Sequence, residues 1–265
     1  MEVKDQAKAL MKQVRKDRVP TSEAIVQETI RELGYTADSI SSEEAERRFN
    51  ELLRNLWIKT LEVLERHEAS AYPEGIPSAL IQLRRDDVVE MEALVQTSGF
   101  REAIKELFVR WYPWLREAFL SIRQSRMQRG GKDFELQLGH MLDLIRVPYQ
   151  KVKRAYRVDF MIPSDEFFKT NPSAAAILSA KRTLRERWRQ VVEELFNMRA
   201  PNIFLATADE KISKDKAEEI CGKWLIHLVV WDHVKADAFA NEPRVLGYTE
   251  WASSRVRILR QFWPA

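Results

Sequence analysis

Cysteine is almost missing from this 265-residue chain. Cys221 stands alone, so no internal disulfide and no cysteine-based metal site can form, and a reducing compartment fits. Histidine is nearly as scarce: His67, His140, His227 and His233 include no pair at zinc-site spacing, and all four read as structural. No apolar run approaches the ~18 residues of a membrane span. Residues 1–18 are too charged for a secretory signal, so the expectation is a cytoplasmic protein with no membrane partner. Glycine occurs only eight times against 31% charged residues, which points to a helix-rich chain. There is no internal repeat and no low-complexity segment. The length allows one large domain or two modest ones.

What is present is unevenly distributed. Residues 1–120 hold 18 Lys/Arg and 22 Asp/Glu, whereas residues 121–265 hold 25 and 18. Within 123–157 the balance is 9 basic to 3 acidic, so an anionic partner belongs to the second half. The chain is accordingly read as a helical N-terminal domain over 1–120, for support or dimerisation, and a second domain over 121–265. Helices are expected over Asp5–Asp17, from Thr21 to Gly34, from Ser41 or Ser42 through the apolar face Phe49, Leu52, Leu53, Leu56 and Leu61, over Asp87–Gln96 and over Phe100–Val109. Pro73, Gly75 and Pro77 should break the chain, and Pro113 should interrupt the cluster of Trp111, Tyr112 and Trp114. Arg123, Arg126 and Arg129 recur at a spacing of three ahead of Gly130-Gly131. They read equally as a phosphate-contacting segment with a hinge or as a solvated face with a turn.

The densest stretch runs from Ile177 to Phe196. It opens as a strand that ends on Lys181, with Thr183 as a helix N-cap and Glu186 three residues on, a capping-box spacing. Trp188, Val191, Val192 and Leu195 then share one helix face. Arg185, Glu186 and Arg187 fall in the first turn, Glu193 points outward, and Glu194 sits at the edge of the apolar stripe, roughly 12 Å along the axis from the start. A plain amphipathic helix would look the same. The neighbours argue for more. Val158, Phe160 and Ile162 alternate as a strand, and Pro163 ends it. Asp159 faces away from those apolar residues. An aspartate on one strand, a lysine on the next and a glutamate on the following helix suit metal-assisted phosphodiester hydrolysis. Two carboxylates hold a hard cation, and the lysine orients water and offsets phosphate charge. Asn202–Thr207, ending near Asp209, and Trp224–Trp231 read as further strands. The helix Ser213–Cys221 lies between them, and Arg255–Trp263 reads as a closing helix. This strand–helix alternation implies an α/β core with a mixed sheet.

These residues resemble type II restriction endonucleases of the PD-(D/E)XK superfamily, in the branch that cuts at CCGG, CCNGG or CCWGG. The resemblance covers roughly 123–235. It rests on Asp159, on Ser179-Ala180-Lys181 as a Ser-X-Lys in place of Glu-X-Lys, on Glu194 as the displaced glutamate, and on Arg185-Glu186-Arg187 as the base reader. Val158 stands where the family has its usual proline. The resemblance implies a restriction-endonuclease-like fold with Asp159, Lys181, Glu194 and Glu135 in the active site. Asp159 and Glu194 would hold Mg²⁺. Arg185 and Arg187 would donate to guanine and Glu186 would accept from cytosine. It further implies a prokaryotic cytoplasmic homodimer or larger oligomer, cutting a palindromic double-stranded DNA site with a CC/GG core before its first cytosine. Trp57 could stack on a flipped base in that branch, although a core tryptophan fits its position better. The competing functions are a repair or junction nuclease of the same fold without base readout, and a non-catalytic DNA-binding regulator.

Overall fold

The computed structural model describes residues 3–151, 158–184 and 188–264. The chain divides into two compact units, one made of 1–25 and 60–129 and the other of 26–59 and 130–265. This differs from a single division at residue 120. An amphipathic pattern states that a helix has a buried face but not which core receives it. Val26, Ile30, Phe49, Leu52 and Leu56 belong to the same apolar cluster as Phe134, Leu138 and the strand residues.

Helix α1 (Val3–Arg18) buries Ala7, Met11 and Val14 at a spacing of four and three. Helix α2 (Ser22–Leu33) ends at Gly34, whose φ of 66° is the left-handed conformation that glycine adopts without penalty. Helix α3 (Ser42–Arg47) is capped by Ser41, whose side chain accepts from the Glu44 N–H. Helix α4 (Phe49–Leu83) runs through Pro73 and Pro77 without a break, contrary to expectation. A proline inside a helix costs about 3 kcal/mol, and burial of Tyr72, Ile76 and Leu80 along the same segment offsets it. Gly75 serves close approach rather than a turn: a Cβ there would lie 2.7 Å from Val14 Cγ1 of α1.

Helix α5 (Arg85–Ser98) is followed by α6 (Phe100–Leu144), which continues through Pro113 and through Gly130-Gly131. Neither the interruption nor the hinge is present. Trp111, Trp114 and Ala118 anchor α6 in the first unit, and Phe134, Leu138, Met141 and Leu142 anchor it in the second. Gly130 lies against the Arg182 side chain, whose guanidinium end a Cβ there would displace.

The second unit holds a six-stranded sheet in the order β1 (Gln150–Lys151), β2 (Phe160–Ile162), β3 (Ala176–Lys181), β4 (Ile203–Thr207), β5 (His227–Val230) and β6 (Val245–Gly247). The first two junctions are antiparallel, and β3 to β6 run parallel. The central strands are buried on both faces, as continuous apolar runs require. Connections carry α7 (Asp165–Thr170), α8 (Trp188–Phe196), α9 (Lys214–Glu218) with a π-turn over Glu219–Lys223, and α10 (Asp232–Ala238). The chain closes with α11 (Tyr248–Glu250), a π-turn over Trp251–Val256 and α12 (Arg257–Arg260). The strand expected from Trp224 starts at His227, after the π-turn.

Thr183 does not cap a helix. Leu184, which would be the first helical residue, is non-helical and buried. Its N–H donates to Asp209 Oδ2 at 2.9 Å and its carbonyl accepts from Lys216 Nζ at 2.6 Å. The first bond satisfies an N–H that a helix start leaves open, and the second engages the carbonyl that the next helical turn would have used.

Candidate active site

Asp159 precedes β2, and β2 pairs with β3 so that Phe160 lies opposite Leu178. That register brings Asp159 beside the last three residues of β3. Its Oδ2 accepts from Ser179 Oγ at 3.1 Å, from the Ala180 N–H at 2.6 Å and from Lys181 Nζ at 2.9 Å. Lys181 Nζ also donates to the Ala180 carbonyl at 3.1 Å. Ser179 is fully buried, whereas Asp159 and Lys181 are partly open to solvent. The three donors all fall on one oxygen. A carboxylate held in this way keeps Oδ1 for another electrophile, and the lysine keeps its third N–H for a further acceptor.

The apolar face of α8 is as the sequence pattern requires: Val191, Val192 and Leu195 are buried, Glu193 is exposed and Glu194 is half-buried. Glu135, on α6, is ion-paired with Lys132 at 3.8 Å and Lys151 at 4.0 Å. Among the described residues no three His, Cys, Asp or Glu side chains come together as a group that could hold a metal ion. The available donors are carboxylate oxygens, which suit a hard divalent cation in kind. Arg185, Glu186 and Arg187 lie outside the described residues.

The basic segment ahead of Gly130 is partly engaged within its own unit. Arg126 pairs with the buried Glu68, and Arg129 Nη2 donates to the Pro20 carbonyl at 2.6 Å. Arg123 is exposed. Trp57 is half-buried and packs edge-on against Phe134 at 5.6 Å between centroids. The Arg182 guanidinium lies 5.4 Å from its ring centroid, so one face of the indole is already occupied by a cation. Of the histidines, His140 bonds the Tyr35 carbonyl, and burial pushes both His140 and His227 down, the latter to about 4.

Two residues of the site neighbourhood do more than the sequence pattern implies. Ser179 was read only as the residue standing in for a glutamate, yet its hydroxyl orients Asp159. Asp209 was read as the end of a strand, yet it fixes Leu184, three residues after Lys181. A polar residue inside an otherwise apolar strand was the available signal for Ser179. Nothing in the local sequence marked Asp209.

A mixed sheet with an aspartate beside the end of a central strand, a lysine closing that strand and a glutamate on the next helix defines a restriction-endonuclease-like α/β fold. The chain belongs to the EcoRII C-terminal family, whose pattern matches residues 95–246. It is 25% identical over 186 residues to the type II restriction enzyme SsoII of Shigella sonnei, covering 66% of this chain. The chain matches 60% of the length of that curated relative. Metal-depleted Ecl18kI in complex with uncleaved, modified DNA superposes with a TM-score of 0.84 at 24% identity, over 98% of this chain and 85% of that one. The PspGI–substrate DNA complex superposes with a TM-score of 0.63 at 19% identity, over 94% and 96%. Among the described residues no helix is long and apolar enough to cross a membrane.

Proposed function

We propose that this chain is a type II restriction endonuclease. It hydrolyses double-stranded DNA in the presence of Mg²⁺ at a short palindrome with a CC/GG core, CCGG-type, leaving 5′ overhangs. The observation that carries this reading is the convergence of Ser179, the Ala180 N–H and Lys181 on one oxygen of Asp159. Membership of the EcoRII C-terminal family and the named DNA complexes of Ecl18kI and PspGI support it.

Asp159, through Oδ1, and Glu194 are the residues that would hold Mg²⁺, which supplies a Lewis acid for the phosphoryl oxygen. The chain's own contribution follows from its protons and charges. Lys181 donates one N–H to Asp159 and one to the Ala180 carbonyl and has the third for a water or a phosphate oxygen, so it orients the nucleophile and offsets charge on the pentavalent phosphate. Ser179 and Ala180 hold the carboxylate still while that happens. Glu135 supports the site through its lysine pairs. Arg185 and Arg187 read guanine O6 and N7, and Glu186 reads cytosine N4. Arg123 contacts the DNA backbone. Residues 1–120 support the enzyme and contribute to its dimer, and a homodimer on a palindrome places one active site on each strand.

Digesting a plasmid of known sequence with Mg²⁺ and mapping the ends tests the reading directly. Discrete ends at CC/GG sites are expected. Cleavage without sequence preference would instead make this a repair or junction-type nuclease, and no cleavage a DNA-binding regulator. A gel-shift comparison in Ca²⁺ tests the reader. Arg187→Ala should erase most of the cognate-to-random ratio, since each bidentate arginine–guanine contact contributes roughly 1–3 kcal/mol of discrimination. A variant with the full ratio would show that these residues do not read bases.

A further inference from the structure

Both backbone groups of Leu184 are taken by side chains from elsewhere in the second unit. Its N–H donates to Asp209 Oδ2 at 2.9 Å, and its carbonyl accepts from Lys216 Nζ at 2.6 Å. Leu184 is 1% exposed and lies outside any helix or strand. A buried backbone group needs a partner. In a helix or a sheet that partner is another peptide, set by the ladder. Here it is a carboxylate just beyond β4 and an ammonium on α9, so two side chains decide where Leu184 sits.

Asp209 can serve as an anchor because it is held in turn. Its Oδ1 accepts from the Lys211 N–H at 3.0 Å, and its own N–H donates to Thr207 Oγ1 at 3.1 Å. With both oxygens engaged inside the chain, Asp209 acts through Leu184 and not on DNA. Thr207 is fully buried and stands opposite Lys181 in the parallel ladder of β3 and β4. The Tyr248 hydroxyl donates to the Thr207 carbonyl at 3.0 Å, and Trp231 Nε1 donates to the Ala208 carbonyl at 3.2 Å. Two buried aromatics therefore brace segment 207–209. That segment grips 181–184 at both ends, Lys181 through the ladder and Leu184 through Asp209. On one side of the grip Lys181 bonds Asp159, and on the other the next residue is Arg185. Groups that bind or react must be held within about 0.5 Å of their working geometry. A frame shared by Lys181 and the residue before Arg185 meets that need for cutting and reading together.

We propose that Asp209 and Lys216 are positioning residues for recognition. By clamping both backbone groups of Leu184 they fix the start of the base reader against Lys181, and so set the preference for cognate DNA. The proposal rests on the reader assigned above to Arg185, Glu186 and Arg187. Its test is a gel shift in Ca²⁺ with two duplexes, one carrying the CC/GG palindrome mapped by plasmid digestion and one lacking it. Asp209→Leu keeps the side-chain size and removes both acceptors. It should lower the cognate-to-random ratio about tenfold or more, the weight of one arginine–guanine contact, with binding to the random duplex unchanged. Asp209→Asn retains one acceptor and should keep most of the ratio. Lys216→Met removes the donor and should act in the same direction less strongly, whereas Lys216→Arg should keep the ratio.

Asp209→Leu with the wild-type ratio overturns the clamp. Equal weakening on both duplexes does so too, because a bond that only stabilises the fold has no preference between them. Lys216 is partly open to solvent, and Lys216→Met decides the matter by the same two criteria where Asp209→Leu does not fold. The clamp and the nuclease reading fail separately. A wild type that prefers its site, with variants that keep the preference, retains the nuclease and loses the clamp. A wild type with no preference loses the reader, and the clamp falls with it.

Discussion

Arg84 with Asp87 in the first unit and Lys181 with Asp159 in the second are both cation–carboxylate pairs, and they differ in what the cation has left to offer. Arg84 donates Nε and Nη2 to the two oxygens of Asp87, each at 2.8 Å, and Trp111 Nε1 adds a third bond at 3.2 Å. The guanidinium holds the Asp87 carboxyl below the usual carboxylate range, and both oxygens are taken. Glu68 is treated alike, buried and paired with Arg126, with the Tyr72 hydroxyl donating to it. In the second unit three donors crowd one oxygen of Asp159 and the cation is a lysine. Arginine in a planar fork is a fixed structural partner, while a lysine is a compact charge with rotatable donors. The first arrangement ties helices together, and the second leaves a carboxylate oxygen and one lysine N–H available for chemistry.

The comparison breaks most visibly at Lys181. Lys181→Ala should lower the rate of plasmid cleavage by on the order of 10²–10⁴, with the circular dichroism spectrum unchanged. Lys181→Arg should recover little of it, because the planar fork would lock onto Asp159 as Arg84 locks onto Asp87. Near wild-type cutting by either variant would remove the distinction. Next comes α8. Glu194→Ala should slow cleavage by on the order of 10² if it shares the cation with Asp159, whereas Glu193→Ala, which is exposed, should be mild. Reversed severities would place the wrong face of the helix toward the site.

A structural pair should fail in a different currency. Arg126→Ala leaves Glu68 buried without its cation, at a cost of about 3 kcal/mol. A lower midpoint is expected in a thermal melt, with the cleavage rate at low temperature unchanged. A normal melting temperature with weakened DNA binding would return Arg126 to the phosphate-contacting role that its spacing with Arg123 and Arg129 first implied. The smallest effect belongs to Ser179→Ala. It removes one of three bonds on Asp159, worth about 1 kcal/mol, and should slow single-turnover cleavage several-fold with little change in stability.

Asp159 and Lys181 were legible because one stands out of an apolar alternation and the other closes an apolar strand, and because their chemistry makes sense only together. The fold class followed from the same alternation. What could not be read was decided at long range. Pro73, Pro77 and Pro113 carry a local signal to stop, and burial of their neighbours overrides it. Gly130-Gly131 reads as a hinge until Arg182 is seen against Gly130, some fifty residues on. Thr183 with Glu186 has the spacing of a capping box, but Asp209 and Lys216 claim the backbone of Leu184 first. The segment 26–59 shows its apolar face plainly, and only the assembled core reveals that this face belongs with the sheet.

The bonds around Asp159 also bear on how the protein can be handled. A carboxylate whose neighbours already neutralise it needs no ion for the chain to fold, in contrast to small domains that collapse only around their metal. On the Mg²⁺-dependent function proposed above, treatment with a chelator should silence this protein without denaturing it. Purification, storage and the loading of DNA can then proceed in EDTA, and the reaction can be started at a chosen moment by adding back a divalent salt.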